Sequence, residues 1–486
     1  MMKKEKLTRE MKPQWIWAIA FGSSIGWACY VLPGDWLNAV GPLGVILGFA
    51  VGTILMMIIS TSYGSLMTRF PVSGGEFSYA YWAFGRNHAF FCGWLLVLGY
   101  TCIVALNATA LALLVKFIMP EAVQIGYMYT IAGWDVYAME IIIASAALII
   151  MGYLNIRGAS LSGRAQYFMS LFMIIGTTIL AASTFFHSET SVSNLQPLFN
   201  TEISTWAAVI YIIALAPWAL SGFDNVPQAA EEFNFPAKKA SKLIYLSLVC
   251  TGVTYILVST TTAYIMPWQE LLEGNPVWAT GDVVTILFGK LGLSLLVMVL
   301  IMGILTGING FCVSASRLLF SMGRAKALPA MFGKLHPKYK TPYVGVMFCI
   351  GFCLLAPWFG REVLGWIIPM SSFGLAFAYF YTCAAGYLNI KKSGNNMESY
   401  ARKSVLSILG AIISIIFLAL LVIPVSPAFL QVPSRISIGI WIVLGMGIYL
   451  VQGKLYRSTS KAELDYLILD EDIDGKQAEK YSSGVS

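Results

Sequence analysis

Long apolar runs, separated by short polar or charged loops, occupy most of the chain. About 20 apolar residues in a helix are enough to cross the hydrocarbon core of a bilayer, and most of these runs reach that length. The pattern predicts an all-α polytopic membrane protein with twelve transmembrane helices. Their approximate positions are 15–37, 42–68, 90–119, 137–154, 166–186, 204–231, 242–266, 290–321, 343–359, 363–388, 404–424 and 435–453.

The composition supports a membrane protein rather than a soluble one. Of the 486 residues, 58% are hydrophobic and only 11% are charged, whereas a soluble domain has about 25% charged residues. No zinc-ligand spacing, nucleophile–base set or GxxxxGK[ST] motif occurs in the sequence. We therefore expect no enzyme activity, no cofactor, no metal site and no direct drive by ATP.

The net charge of +7 reflects topology and not nucleic-acid binding. Basic residues precede the first predicted span and then recur in alternate loops, while the opposite loops hold chiefly Arg361 and Arg435. The positive-inside rule then predicts that both termini are cytoplasmic, which agrees with an even number of spans. We expect a multi-pass protein of the plasma membrane, in a bacterium the inner membrane.

The sixth predicted span carries helix breakers and an acid at membrane depth. Pro217, Gly222 and Pro227 weaken the helical hydrogen bonds around Asp224. Irregular backbone and a charge are tolerated in a bilayer where they line a protein cavity or contact a ligand. The alternative is a proline kink with a paired or neutral structural aspartate.

The first predicted span has its own group of small residues, from Gly22 to Gly26, followed by Pro33 and Gly34. Small residues also allow close helix packing, so this group alone favours no binding site. Interrupted segments at matching positions of two halves, however, indicate a transporter site near the bilayer midplane. Free N–H groups there attract a carboxylate, and free carbonyls accept an ammonium group or a cation.

Four motifs follow one another along the chain: GSSIGWACYVLPG (22–34), PVSGGEFSYAYWAFG (71–85), GFDNVPQAAEE (222–232) and SRLLFSMGRAKALPAMFGKLHPKYKTP (316–342). In this order they resemble the amino acid–polyamine–organocation permeases, and the resemblance covers almost the whole chain up to about Arg457. The resemblance implies a LeuT-like 5+5 inverted repeat with broken helices one and six and two extra helices. The implied parts are a cytoplasmic N-terminus (1–14), two repeats (15–186 and 204–388), helices eleven and twelve (404–453) and an acidic cytoplasmic tail (454–486).

The resemblance also implies where a substrate binds. The backbone of Gly22, Ser23, Ser24, Ile25 and Gly26 would hold its carboxylate, and carbonyls near Ala219, Ser221 and Gly222 would hold its amino group. Trp218 and Asp224, six residues apart, match an occluding tryptophan and an acidic residue of exchangers in the family, with Phe223 beside them. The remaining candidate lining residues are Trp27, Asn107 and Asn309.

Several positions depart from the family pattern or suggest further contacts. Trp27 and Ala28 replace small residues and reshape the pocket beside helix one, while Phe172 and Met173 stand where proton-coupled members often carry a lysine. Exchange, sodium coupling and uniport therefore stay open. We also predict that Arg317 pairs with Glu231 or Glu232 as an inner gate. Glu140 is expected to be interfacial, and the tail 461–486 is expected to be a solvated segment without a core.

The sequence thus predicts a secondary active transporter (permease) for an amino acid or a related small amine. The predicted partners are that substrate, a coupling proton or sodium ion, and the lipid bilayer, with no nucleic acid. An obligate amino acid or amine exchanger (antiporter) is the alternative within transport. A transport-inactive nutrient sensor that keeps the fold is the alternative from another class.

Overall fold

The computed structural model describes residues 5–131, 133–188, 190–274, 276, 278–360, 362–392, 397–424, 426 and 428–471. Arg361 and residues 472–486 of the predicted tail lie outside these ranges.

The first half of the chain forms ten helices and one β-hairpin. These elements are α1 (Pro13–Ile25), α2 (Ala28–Val31), α3 (Pro33–Val40), α4 (Pro42–Arg69), α5 (Gly75–Phe84), α6 (Arg86–Ile118), α7 (Pro120–Val123), β1 (Tyr127–Ile131), β2 (Trp134–Tyr137), α8 (Ala138–Arg157), α9 (Ala159–Phe185) and α10 (Thr205–Ala219).

The second half is entirely helical in the described ranges. It contains α11 (Asn225–Gln228), α12 (Ala237–Thr262), α13 (Trp268–Glu273), α14 (Ala279–Arg324), α15 (Tyr343–Cys353), α16 (Glu362–Lys392), α17 (Met397–Val422), α18 (Val432–Ser458) and α19 (Lys461–Leu464), together with short 3₁₀ turns.

Nine helices of the described ranges are long and apolar enough to cross a membrane. The other three predicted spans, 15–37, 204–231 and 343–359, are built from shorter helical pieces. Side chains on the outer helices are exposed and apolar, as in Val443 (67% exposed) and Val451 (78%) of α18. Such a surface fits lipid better than water. The chain is thus a polytopic, predominantly α-helical membrane protein.

The hairpin β1–β2 is a short element that the sequence analysis did not predict. The strands pair antiparallel, with Thr130 opposite Asp135 and Ile131 opposite Trp134. Aromatic and β-branched residues favour extended backbone in this short loop, where no long apolar run competes. We call the end of the bundle that carries this hairpin the hairpin face.

The opposite end of the bundle carries the first and the last residues that the structure describes, and we call it the terminal face (residues 5–12, α5 and 460–471). The N-terminal segment pairs with the chain that follows α11: the Met11 N–H donates to the Glu232 carbonyl (2.9 Å) and the Asn234 N–H to the Met11 carbonyl (3.1 Å). The Leu7 N–H also donates to Glu231 (3.0 Å). These bonds hold the N-terminal segment across the end of the bundle.

Residues 460–471 do not form the solvated tail that their acidity predicted. Leu464, Ile468 and Leu469 are buried, and three polar contacts fasten the segment to separate parts of the terminal face: Lys6–Asp470 (2.9 Å), Lys326–Glu463 (2.7 Å) and Tyr81–Asp465 (2.8 Å). The expectation was wrong because the acidic residues flank an apolar face that finds partners on the bundle.

Candidate functional site

The first interruption separates α1 from α2. Gly26 has φ 52°, in the left-handed region that glycine adopts without strain, and helix geometry resumes at Ala28. The carbonyls of Ser24 and Ile25 accept hydrogen bonds from the Tyr255 hydroxyl of α12 (3.2 and 3.3 Å). The interrupted backbone is therefore held by side chains of its neighbours.

The second interruption follows α10, which contains Pro217 and ends at Ala219. Gly222 has φ 127°, and the short helix α11 begins at Asn225. The Ser221 hydroxyl donates to the Trp218 carbonyl (2.7 Å), which the interruption frees from its helical partner. The helix breakers of the sequence thus stand where the helix ends.

The two interruptions are in direct contact through Gly222. A Cβ atom at this position would lie 2.4 Å from Ser24 Oγ and 2.8 Å from the Ala20 carbonyl oxygen. No side chain fits at these separations, so only glycine allows the approach. The structure therefore brings the candidate residues of both broken segments to one place.

A line of glycines on α14 forms the wall beside the first interruption. A Cβ at Gly303 would lie 2.5 Å from the Gly26 carbonyl oxygen, and one at Gly310 would lie 1.8 Å from Ser23 Oγ. Gly307 is equally close to Asn107. The sequence reasoning missed this wall, although the spacing GxxxG at 303 and 307 is a known signal of close helix packing.

Asp224 is completely buried at the second interruption. Its Oδ1 accepts a hydrogen bond from the Gly222 N–H (2.7 Å), and the Tyr100 hydroxyl donates to its main-chain carbonyl (3.2 Å). Its other carboxyl oxygen, Oδ2, has no hydrogen-bond partner among the described residues. The side chain folds back onto the interruption and makes no capping hydrogen bond to α11.

Two tryptophans separate this region from a cavity at the hairpin face. Trp27 and Trp218 pack edge to face, with ring centroids 6.3 Å apart. The cavity has a volume of about 410 Å³, and its lining includes Trp27, Asp35 and Trp278. Trp27 therefore contacts both the cavity and Trp218, and Trp218 is the predicted occluding residue.

The other candidate residues differ in how freely they face the interruptions. Ser23 Oγ and Asn107 Oδ1 are buried, and neither has a hydrogen-bond partner in the described part of the chain. Phe223 packs on Tyr63 and Tyr379. The Asn309 amide is fully hydrogen-bonded: its oxygen accepts from Asn155 and Ser162, and its nitrogen donates to Gln166. Asn309 thus supports the wall of the site, while Ser23 and Asn107 keep free polar atoms.

Met173 lies next to the first interruption. It is one of the two residues that stand where proton-coupled members of the family often carry a lysine. The Thr306 hydroxyl approaches its sulfur (3.6 Å) and donates to the Gly22 carbonyl (2.9 Å). Neutral groups therefore surround the Gly22 carbonyl.

The predicted ion pair at the terminal face is confirmed. Arg317, completely buried, binds Glu232 with both Nε (2.7 Å) and Nη2 (3.3 Å). Arg324 makes a parallel pair with Glu231 (2.8 Å). A two-point contact between guanidinium and carboxylate is strong and directional. These pairs join α14 to the chain that follows α11.

Glu140, which was expected to be interfacial, lies at the start of α8 next to the hairpin face. Its side chain is buried and pairs with Lys116 of α6 (2.5 Å). The ammonium group of Lys116 also lies over the Trp134 ring. The hairpin, which the sequence analysis did not foresee, covers this pair from solvent.

A family model described as amino acid permease matches residues 16–448. The chain belongs to the amino acid permease family. This permease is 26% identical over 359 residues to the branched-chain amino acid permease BcaP of Bacillus subtilis, covering 71% of this chain and 73% of that one. It is 24% identical to the lysine-specific permease LysP of Lactococcus lactis, covering 72% and 69%. It is also 26% identical to a methylthioribose transporter of Bacillus subtilis, covering 70% and 73%. The names of these relatives give different substrates. The similarity therefore supports transport but does not indicate one particular substrate.

Proposed function

We propose that this permease is a secondary active transporter that moves an amino acid or a related small amine by alternating access. The observation that carries the proposal is the contact of the two helix interruptions at Gly222 and Ser24. The substrate carboxylate binds backbone N–H groups near Gly26, and its amino group binds carbonyls between Ala219 and Gly222. Family membership and the LeuT-like repeat expected from the sequence support this assignment.

The two ends of the molecule support an outward-facing, occluded state. At the terminal face the ion pairs of Arg317 and Arg324 and the segment 460–471 close the bundle. At the hairpin face a cavity leads to Trp27. The distribution of basic residues supports a cytoplasmic position of the terminal face. Movement of Trp27 and Trp218 would then open the site to the outside, and separation of the ion pairs would open it to the inside.

Uptake of labelled amino acids and amines into proteoliposomes tests this function. We expect saturable uptake of at least one amino acid, competed by its unlabelled form and absent from vesicles without protein. Binding without flux for every compound tested would contradict transport and favour the nutrient sensor.

An obligate exchanger is the second candidate, and two observations favour it. Phe172 and Met173 stand where proton-coupled members often carry a lysine, and Trp218 stands six residues before Asp224, as in exchangers of the family. Vesicles loaded with unlabelled substrate would then take up label, whereas empty vesicles would take up none under any proton or sodium gradient.

A further inference from the structure

Glu76 is a completely buried carboxyl group that no part of the proposed transport mechanism uses. It lies in the first turn of α5, which is not among the membrane-spanning helices. Gly74 (φ 99°) and Gly75 (φ 39°) turn the chain immediately before it. A Cβ at Gly75 would lie 2.9 Å from Gln228 Nε2. The start of α5 is therefore in close contact with the end of α11.

Three polar side chains from three different elements converge on the Glu76 carboxyl group. Oε1 accepts from the Tyr63 hydroxyl of α4 (2.9 Å) and the Tyr100 hydroxyl of α6 (3.4 Å). Oε2 lies 2.6 Å from the Gln228 amide of α11. Because Tyr100 also donates to the Asp224 carbonyl, the Glu76 cluster joins the second interruption directly.

The Gln228 amide suits both protonation states of Glu76. Its nitrogen donates to a charged carboxylate, and its oxygen, which has no partner among the described residues, accepts from a neutral carboxyl O–H after the amide rotates. Both oxygens of Glu76 contact hydrogen-bond donors, an arrangement that disfavours a metal cation at this position.

The cluster holds no positive charge that would keep Glu76 ionised. The titratable groups that face it are Tyr63, Tyr79, Cys92, Tyr100, Asp224 and Tyr379. Arg317 and Arg324 of α14 are bound to Glu232 and Glu231. Burial, with the Asp224 carboxyl group as a further cause, raises the pKa of Glu76 to about 8.

Other buried polar atoms of the cluster also lack partners within the described ranges. Asp224 Oδ2, both amide atoms of Asn225 and the Tyr379 hydroxyl are in this group. Tyr379 packs against Tyr63 (ring centroids 6.1 Å apart), the donor to Glu76. Groups of this kind can pass a proton between carboxyl groups when water or a small rearrangement connects them.

We propose, resting on the proposed transport function, that Glu76 binds the proton that drives uptake and releases it at the terminal face. The proton arrives from the hairpin face with the substrate, and neutral Glu76 stays paired with Gln228 while the terminal face is closed. When α11 moves away from α5, water reaches the carboxyl group. Its O–H bond then breaks, the proton passes to cytoplasmic water, and a carboxylate remains. Glu76 would thus take over the role of the lysine that proton-coupled members of the family often carry where this chain has Phe172 and Met173.

Glu76→Gln separates proton coupling from substrate movement. The neutral amide mimics protonated Glu76, so we expect exchange into substrate-loaded proteoliposomes to stay within about twofold of wild type. Stimulation by an inward proton gradient should disappear, whereas one pH unit is worth about tenfold accumulation in the coupled wild type. Glu202→Gln, at an exposed position with no role in the site, is the matched control and should keep the stimulation.

Infrared difference spectra of the purified protein test the proton site without any transported substrate. We expect the carbonyl band of a protonated carboxyl group to disappear between about pH 7 and 9 in wild type and Glu202→Gln, and to be absent from Glu76→Gln. Tyr63→Phe removes one donor to the carboxylate. It should move the midpoint upward by about one pH unit, because the charged form loses a hydrogen bond.

The outcomes separate the two proposals. A band that titrates and is lost in Glu76→Gln, without flux of any substrate, supports the proton site and contradicts transport. Exchange in wild type together with unchanged proton stimulation in Glu76→Gln overturns the proton site and leaves transport standing. A band near pH 8 that persists in Glu76→Gln, or wild-type uptake that ignores the proton gradient, also overturns it.

Discussion

Gly222 determines whether the two interruptions can meet. Alanine at this position would place its methyl group within 2.4 Å of Ser24 Oγ, at a φ of 127° that L-residues avoid. We expect Gly222→Ala to cost about 1–3 kcal/mol of stability and to lower uptake by about tenfold or more. Melting curves in detergent and uptake by proteoliposomes measure both effects. Gly447→Ala on α18, where no atom lies within 4 Å of the added Cβ, is the control. Equal effects of the two substitutions would contradict the close contact.

Asp224 allows its charge to be tested apart from its structural hydrogen bond. In the wild type, Asp224 Oδ1 accepts a hydrogen bond from the Gly222 N–H at 2.7 Å. The side-chain oxygen of Asp224→Asn can still accept this bond, while an amide nitrogen replaces the unpartnered Oδ2 and the side chain can no longer ionise. We expect about a tenfold or greater fall in uptake with a melting temperature close to that of wild type. Normal flux through the folded variant would remove the Asp224 charge from the mechanism.

Among the elements, residues 460–471 act as a brace across the terminal face. The surface ion pairs Lys6–Asp470 and Lys326–Glu463 contribute at most about 1 kcal/mol each. The buried side chains contribute more, so Ile468→Ala should weaken the docking of the brace by about 2–5 kcal/mol. Hydrogen exchange at residues 5–12 should then become faster. Leu450→Ala is the control and should leave this exchange unchanged, because its side chain is 64% exposed on α18. Unchanged hydrogen exchange at residues 5–12 in Ile468→Ala would show that the brace does not hold the N-terminal segment.

The elements also differ in how well the sequence predicts them. The apolar runs and the breakers Gly26, Pro217 and Gly222 act within a few residues of themselves, so they indicate where helices begin and end. The burial of Glu76 under Gln228 and the pairing of Trp27 with Trp218 join parts of the chain far apart in sequence. Neither follows from local propensity, because each requires two elements to approach in three dimensions. The brace was missed for a related reason, since its acidic residues concealed a short apolar face.

At the scale of the whole molecule, the two ends are in opposite states: the terminal face is closed and the hairpin face has a cavity that leads to Trp27. Gly365 lines that cavity, and a Cβ added there meets no atom within 4 Å. A cysteine at Gly365 should therefore fold normally and report on the outward-facing state. Seven of the eight native cysteines are buried and Cys250 is half-buried, so their background labelling should be low.

A membrane-impermeant maleimide should label Gly365→Cys in right-side-out vesicles and not in sealed inside-out vesicles. Transported substrate should slow this labelling, because closure of the hairpin face over bound substrate shields Gly365→Cys. Substrate at about 100 times its Kd stabilises the state that binds it by about 2.7 kcal/mol. Gly274→Cys, exposed in the loop after α13 and not part of the cavity, controls for general reactivity, because no atom lies within 4 Å of the added Cβ, and its labelling should show no substrate effect. Labelling confined to inside-out vesicles would instead place the hairpin face in the cytoplasm and reverse the direction in which the ion pairs of Arg317 and Arg324 act as a gate.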